Sequence, residues 1–214
     1  MSSRSRLIIR DGYPFIIPLA LFSVFLAFMG MRWLALLFFV LTFFVTWFFR
    51  NPERHVPAGD EIIVSPADGR ILKIEEIEGS PFGGGRRRKV SIFMSVFNVH
   101  VNRAPCSGTI QSIRYHKGRF FSADLDKASE LNENNAILIR TDTGIDIVTI
   151  QIAGIIARRI VCWIKEGMHI QKGERFGMIR FGSRLEVVLP LEAKVSVREG
   201  ERVKAGETPI GSLI

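Results

Sequence analysis

Between Tyr13 and Phe49 the chain carries a single charged side chain, Arg32, and no other feature constrains its fold as much. Arg32 divides this stretch into residues 13–31 and 33–49. Each half is close to the lower limit of about 17 apolar residues that cross a bilayer core as a helix. Apolar side chains occupy every side of a helical projection, so packing against a soluble core would leave most of them without a partner. Arg4, Arg6 and Arg10 precede the run as in a signal peptide, but a second apolar run follows at once with no small-residue cleavage site between them. The expectation is a membrane anchor over residues 1–49, built as a hairpin of two short hydrophobic helices, spanning or re-entrant. Arg50 and Arg54 follow it, so basic residues flank both outer ends against the lone Arg32 in the connection. The positive-inside rule then places both ends, and everything downstream, on the cytoplasmic face of the cell (inner) membrane.

Residues 50–60 are polar and contain proline, which suits a linker, and residues 61–214 are enough for one domain with its own core. Ile- and Val-rich strand stretches are expected at 70–77, 90–97, 109–115, 136–140, 145–152, 155–164, 174–179 and 185–189. Several alternate in character, as in Ile71-Leu72-Lys73-Ile74. Thr141-Asp142-Thr143-Gly144 reads as a hairpin turn, and only 122–131 reads as a helix. The fold class is mostly β with one short helix.

A pseudo-repeat refines it. Glu166-Gly167-x-x-Ile170-x-x-Gly173 parallels Glu199-Gly200-x-x-Val203-x-x-Gly206, a pattern typical of the barrel-sandwich domains that carry biotin or lipoate. Such carriers need a lysine at an exposed hairpin tip, and the candidate tip here, Phe181-Gly182-Ser183-Arg184, has none. A membrane-anchored barrel-sandwich adaptor without catalysis is the rival reading, although the coiled-coil hairpin such adaptors insert between half-motifs is missing. Gly182-Ser183 itself is open to two readings. Glycine suits a turn, and it also leaves its carbonyl unhindered for attack by the next hydroxyl.

The formal net charge of +8 suggests an anionic partner. Arg86-Arg87-Arg88-Lys89, after Gly83-Gly84-Gly85, is the densest basic run and reads as a solvated loop that contacts anionic headgroups. No aromatic interleaving or nucleic-acid-binding motif accompanies it, so nucleic acid is not an expected partner. The glycines lack a following Gly-Lys-Ser/Thr, so they form no P-loop. Cys106 and Cys162 are widely spaced, which implies neither a disulfide framework nor a metal site.

Five segments carry a stronger signal. They are Phe49-Arg50-Asn51-Pro52-Glu53-Arg54, Val64-Ser65-Pro66-Ala67-Asp68-Gly69, Phe97-Asn98-Val99-His100-Val101-Asn102-Arg103, Asp126-Lys127-Ala128-Ser129 with Asn132-Glu133-Asn134-Asn135, and residues 172–183, which end in Arg180-Phe181-Gly182-Ser183. In this order and at these separations they resemble the phosphatidylserine decarboxylase proenzymes, in particular the short bacterial and archaeal branch, from about Phe48 to the end of the chain.

The resemblance implies self-cleavage between Gly182 and Ser183 into a β chain, 1–182, and an α chain, 183–214. The two are expected to stay together as a heterodimer, with further oligomerisation open. Ser183 is implied as the nucleophile that forms an ester, eliminates to dehydroalanine and hydrolyses to a pyruvoyl group, the covalent cofactor. His100 matches the catalytic histidine and Asp68 the aspartate that orients it, a triad that acts once on its own chain. Longer bacterial members carry a second histidine where this chain has Arg103. Guanidinium cannot serve as a base, so Arg103 is a candidate for binding the substrate phosphate or carboxylate. His116 is a second candidate for the substrate site, while His55 and His169 are expected to be solvated.

The pyruvoyl carbonyl is expected to form a Schiff base with the headgroup of phosphatidylserine, sink the electrons as carbon dioxide leaves, and release phosphatidylethanolamine, with no metal. A serine headgroup on an archaeal ether lipid, archaetidylserine, would satisfy the same residues.

Overall fold

The computed structural model of the chain describes residues 7–118, 131–154, 159–180 and 183–213. The chain divides into two compact units, Met1–Glu53 and Arg54–Ile214.

In the first unit a 3₁₀ turn, Arg10–Gly12, leads into α1 (Tyr13–Phe28), and α2 (Arg32–Phe48) follows. Pro14 sits in the first turn of α1, where a missing N–H is tolerated. Gly30, at φ +76°, takes the left-handed conformation that reverses the chain between the helices. Ser23 Oγ donates to the Ala35 carbonyl at 2.9 Å, and Phe22 meets Phe38 edge to face at 4.7 Å, so the two helices pair side by side. The helical segment Arg10–Phe28, 19 residues, is long and apolar enough to cross a membrane, whereas α2 has 17. Leu21, Val24, Phe28, Trp33 and Phe43 are all exposed, the surface an apolar solvent would cover.

The second unit is built, among the described residues, from β1 (Ile62–Val64), β2 (Gly69–Glu78), β3 (Arg86–Met94), β4 (Val101–Arg103), β5 (Gly108–His116), β6 (Asn134–Thr141) and β7 (Asp146–Ala153). Then come β8 (Ile160–Cys162), β9 (His169–Ile170), β10 (Arg175–Ile179), β11 (Ser183–Pro190), β12 (Lys194–Val195), β13 (Arg202–Val203) and β14 (Pro209–Ser212). The large sheet has the order β13-β2-β3-β11-β7-β6-β5-β9, flanked by two three-stranded sheets, β1-β14-β12 and β4-β10-β8.

That order is a palindrome about the β11–β7 pair, and the pseudo-repeat is its sequence trace. Gly167 and Gly173 have φ of +81° and +76°, and their counterparts Gly200 and Gly206 have +84° and +73°. Glu166 accepts from the Ile113 N–H at 2.7 Å, as Glu199 accepts from the Ile74 N–H at 2.9 Å, next to the bulges in β5 and β2. The domain is therefore two copies of one unit, and each copy needs the other to complete the sheet.

Both faces of the large sheet are covered. Inward side chains, including Ile71, Val90, Ile92, Ile110, Ile139, Ile147, Leu185, Val187 and Leu189, form the main core. Ala136, Val148, Ile150, Ile152 and Val188 form a second cluster on the other face, with Phe82 against it. This double burial explains why apolar residues stand on both faces of β7 and β11, as in Ile147-Val148 and Val187-Val188.

Two expectations fall wholly or partly outside the described residues, and one is corrected. The helix at 122–131 and the segment Asp126-Lys127-Ala128-Ser129 lie outside the described residues, apart from Leu131. Of the strand expected at 155–164, residues 155–158 lie outside and β8 covers Ile160–Cys162. The basic run 86–89 is not a loop. It opens β3, where Arg86, Arg88 and Lys89 stand opposite Glu78, Glu76 and Glu75 of β2. Arg86 and Arg88 pair with Glu76, and Lys89 reaches Glu75 at 3.0 Å, so much of the run's charge is neutralised across the strands. Burial pushes the Glu75 carboxyl up, but hydrogen bonds from Lys73 and Lys89 outweigh it and hold that carboxyl below its ordinary range.

Candidate active site

Register brings Ser183 and His116 to one end of the large sheet, and Asp68 and His100 lie in connections at that end. Arg70, Phe93, Arg184, Ile152, Asn134 and His116 form one row across β2, β3, β11, β7, β6 and β5. One step beyond the row, Ser183 pairs with Met94 on β3 and Ala153 on β7. Asp68 immediately precedes β2, and His100 lies in the connection that follows β3. At about 4.8 Å between strands, Ser183 is roughly 10 Å from the start of β2 and roughly 14 Å from His116.

Ser183 opens β11 and is fully buried. β10 pairs with β4 and β8, while β11 pairs with β3 and β7, so these two strands are not hairpin partners. Ile179 and Ser183 thus belong to strands of different sheets, which removes the reading of Gly182-Ser183 as the tip of a β10–β11 hairpin; Phe181 and Gly182 lie outside the described residues. The Ser183 hydroxyl points at the Met94 thioether, with Oγ–Sδ 3.4 Å. A thioether is a weak acceptor, so it does little to hold the hydroxyl proton.

His100 is fully buried. Its setting is a turn in which Asn98 Oδ1 accepts from both the N–H and the Oγ of Ser95, each at 2.8 Å. That turn fixes the Asn98 carbonyl, whose oxygen lies 3.0 Å from His100 Nδ1. With the proton on Nδ1 donated to that carbonyl, Nε2 is the basic nitrogen.

Asp68 is placed by a close backbone approach. A Cβ on Gly69 would stand 2.1 Å from the Phe93 carbonyl oxygen, so only glycine lets β2 start here. Arg54 Nη2 bisects the Asp68 carboxylate at 2.9 and 2.8 Å, and the Ala205 N–H donates to Oδ1 at 2.8 Å. Among the described residues these are the hydrogen bonds to Asp68, and the orienting contact on the imidazole comes from Asn98.

Arg103 is nearly buried and donates Nη1 to the Gly173 carbonyl at 2.9 Å. His116 is exposed at the rim of an open groove of about 720 Å³, lined also by Pro81, Arg114, Tyr115, Asn134 and Ile150. His55 and His169 are exposed, and His169 pairs with Asp142 at 2.9 Å.

Three sets of polar residues stand next to Ser183, and sequence reasoning gave none of them a role. On its own face, Asn135 donates to Gln151 at 3.0 Å, Gln151 to Asn102 at 2.9 Å, and the Asn102 amide lies 3.8 Å from the same Met94 sulfur. Asn102 and Asn135 lie in segments quoted above, and the signal for Gln151 is a polar residue between Ile150 and Ile152. On the opposite face Arg184 is held by Glu186 and Ser91, each at 2.9 Å, which pins the residue after Ser183. The Asn132-Glu133 segment clamps Ala153, the other neighbour of Ser183: Asn132 Nδ2 donates to its carbonyl at 2.7 Å and its N–H donates to the Glu133 carbonyl at 2.9 Å.

A family model described as phosphatidylserine decarboxylase matches residues 41–211. A protein from Syntrophus aciditrophicus named phosphatidylserine decarboxylase proenzyme is 57% identical over 207 residues, covering 96% of this chain and 97% of that protein. Proteins of the same name from Magnetococcus marinus and Rickettsia felis are each 47% identical, over 213 and 211 residues. The former alignment covers 98% of this chain and 97% of the relative, the latter 97% and 91%.

Proposed function

The chain belongs to the phosphatidylserine decarboxylase family, and from that membership we propose that it removes carbon dioxide from phosphatidylserine with a pyruvoyl group made from its own Ser183. The observation that carries the assignment of Ser183 is its place: a buried serine, at the first position of a central strand, just after the chain leaves another sheet.

In this reading self-cleavage uses the residues at the strand ends. Ser183 Oγ attacks the Gly182 carbonyl carbon as His100 Nε2 takes its proton. The bond to the Ser183 nitrogen breaks, that nitrogen receives a proton, and an ester joins Gly182 to the Ser183 oxygen. Loss of an α-proton and elimination of the Gly182 carboxylate leave a dehydroalanine on residue 183. Water then replaces its nitrogen, which departs as ammonia. Asp68 supplies the negative charge that favours the protonated imidazole, and the Asn98 carbonyl holds the ring in its working tautomer.

The surroundings of residue 183 suit the product. Elimination turns the hydroxymethyl group into a methyl, and a thioether is a better neighbour for a methyl than for a hydroxyl. The pyruvoyl carbonyl supplies an electrophile for the substrate amine and an electron sink when carbon dioxide leaves. His116 stands three strands from Ser183, in the row of Arg184 and Ile152 that faces away from it, and Arg103 is buried against a backbone carbonyl, so neither is assigned the headgroup. Arg184 and the Asn132-Glu133 segment keep the strand ends around residue 183 fixed. Residues 1–49 retain the site at the membrane in which a diacyl substrate stays, with the second unit on the cytoplasmic face. The cut chains, 1–182 and 183–214, remain a heterodimer.

Mass spectrometry of the purified protein tests this. The expected result is a chain ending at Gly182 and a second chain beginning with pyruvoyl at 183, with Ser183→Ala uncut and inactive. An uncut chain with full decarboxylase activity would refute it.

A further inference from the structure

We infer that Arg54 is a positioning residue for self-processing, holding the Asp68 carboxylate in place and aimed; the inference rests on the role given above to Asp68. The pair is buried, with side-chain exposures of 7% and 12%. One nitrogen, Nη2, lies within 2.9 Å of both carboxylate oxygens, and the Ala205 N–H takes a second site on Oδ1. A carboxylate offers about four acceptor sites. Among the described residues three are filled, two on Oδ1 and one on Oδ2, which leaves one direction on Oδ2. Arg54 Nη1 also reaches Glu207 at 3.5 Å, and this tethers the guanidinium from its far side.

The internal repeat provides a comparison within the same molecule. Asp68 precedes β2 as Ser107 precedes β5, and the turn at Gly206 corresponds to the turn at Gly173. In the second copy the Lys172 N–H is accepted by Ser107 Oγ at 3.0 Å, where in the first the Ala205 N–H is accepted by Asp68 at 2.8 Å. The fold therefore needs only an oxygen acceptor for one backbone N–H at this place, and a neutral serine meets the need. A carboxylate with a guanidinium buried beside it is a far more demanding way to do so, because both charges must leave water. The extra charge pair occurs in the copy whose strands lead to Ser183. That asymmetry points to chemistry, since the architecture is satisfied without it.

The test follows the fraction of full-length protein cut with time after synthesis, on denaturing gels, for Arg54→Met, Arg54→Lys, Asp68→Ser and the double variant Arg54→Met/Asp68→Ser. Arg54→Met is expected to slow cutting on the order of tenfold or more, as loss of an orienting partner does at other sites. Arg54→Lys should recover most of that loss by restoring the charge. The double variant reproduces the neutral arrangement of the second copy, so it should melt above Arg54→Met alone, with both measured in the uncut Ser183→Ala background. Arg54→Met cutting at the wild-type rate while Asp68→Ser is slow would overturn the role of Arg54 and leave that of Asp68 standing. Equal slowing in Arg54→Met and Arg54→Lys would also overturn it. Asp68→Ser cutting at the wild-type rate would remove Asp68 from the mechanism and Arg54 with it.

Discussion

Cutting between residues 182 and 183 would make β11 the first strand of a separate chain without removing one rung of its ladder. Ser183–Pro190 pairs with β3 over its whole length, and its first six residues also pair with β7. Leu185, Val187, Val188 and Leu189 are no more than 1% exposed. At about 1.5–3 kcal/mol for each buried aliphatic side chain, these four alone contribute roughly 6–12 kcal/mol towards keeping the chains together. No disulfide can join them, because Cys106 and Cys162 both precede the cut and are free. Native size-exclusion chromatography in detergent should thus show both chains in one peak. Unfolding of the cut protein also separates two molecules, so its urea midpoint should fall on dilution, while that of the uncut Ser183→Ala chain should not. Tenfold dilution is worth about 1.4 kcal/mol. With a slope of about 1–3 kcal/mol per molar urea, the midpoint should drop by roughly 0.5–1.4 M. Release of residues 183–214 in native buffer, or a dilution-independent midpoint for the cut protein, would refute the reasoning.

Three further outcomes are expected. Burial pushes the Cys106 thiol up to about 12, with the Asp142 charge adding to it, so at pH 8 it stays protonated and enclosed. A thiol reagent should then modify the part-exposed Cys162 first and Cys106 only after urea; simultaneous native reaction of both would count against the core placement. Glu76→Gln removes the shared partner of Arg86 and Arg88. At about 1 kcal/mol per arginine near an anionic surface, a chain starting at Arg50 should bind anionic vesicles roughly 5–30-fold more tightly, an increase that high salt abolishes; unchanged binding would mean the arginines were already available. That same shortened chain keeps Arg54 and should still split in two, but lose far more activity on bilayer phosphatidylserine than on a short-chain soluble analogue. Equal losses would show that the helices support the site and not its delivery.

The sequence by itself determined the apolar unit, the mostly β domain and the repeat. These features are local: hydrophobic runs, strand alternation and glycines at fixed spacing report what each segment must do with its neighbours. It also offered Ser183, His100 and Asp68 as candidates, because the segments around them resemble a known family. Tertiary structure decided the rest. Nothing in the basic run 86–89 says that it will lie beside Glu75–Glu78, since strand register is fixed by packing and by the β2 bulge. The palindromic sheet was legible only as two short glycine motifs, because its other correspondences are hydrogen bonds between distant backbone groups. Arg54 read as part of a linker, 14 residues before Asp68, until folding buried both. Asn102, Gln151 and Asn135 come from three separate segments, and only the closed core turns three ordinary amides into one chain beside Ser183. A buried charge or amide must find its partner wherever the fold brings one, and that partner has no signature in the local sequence.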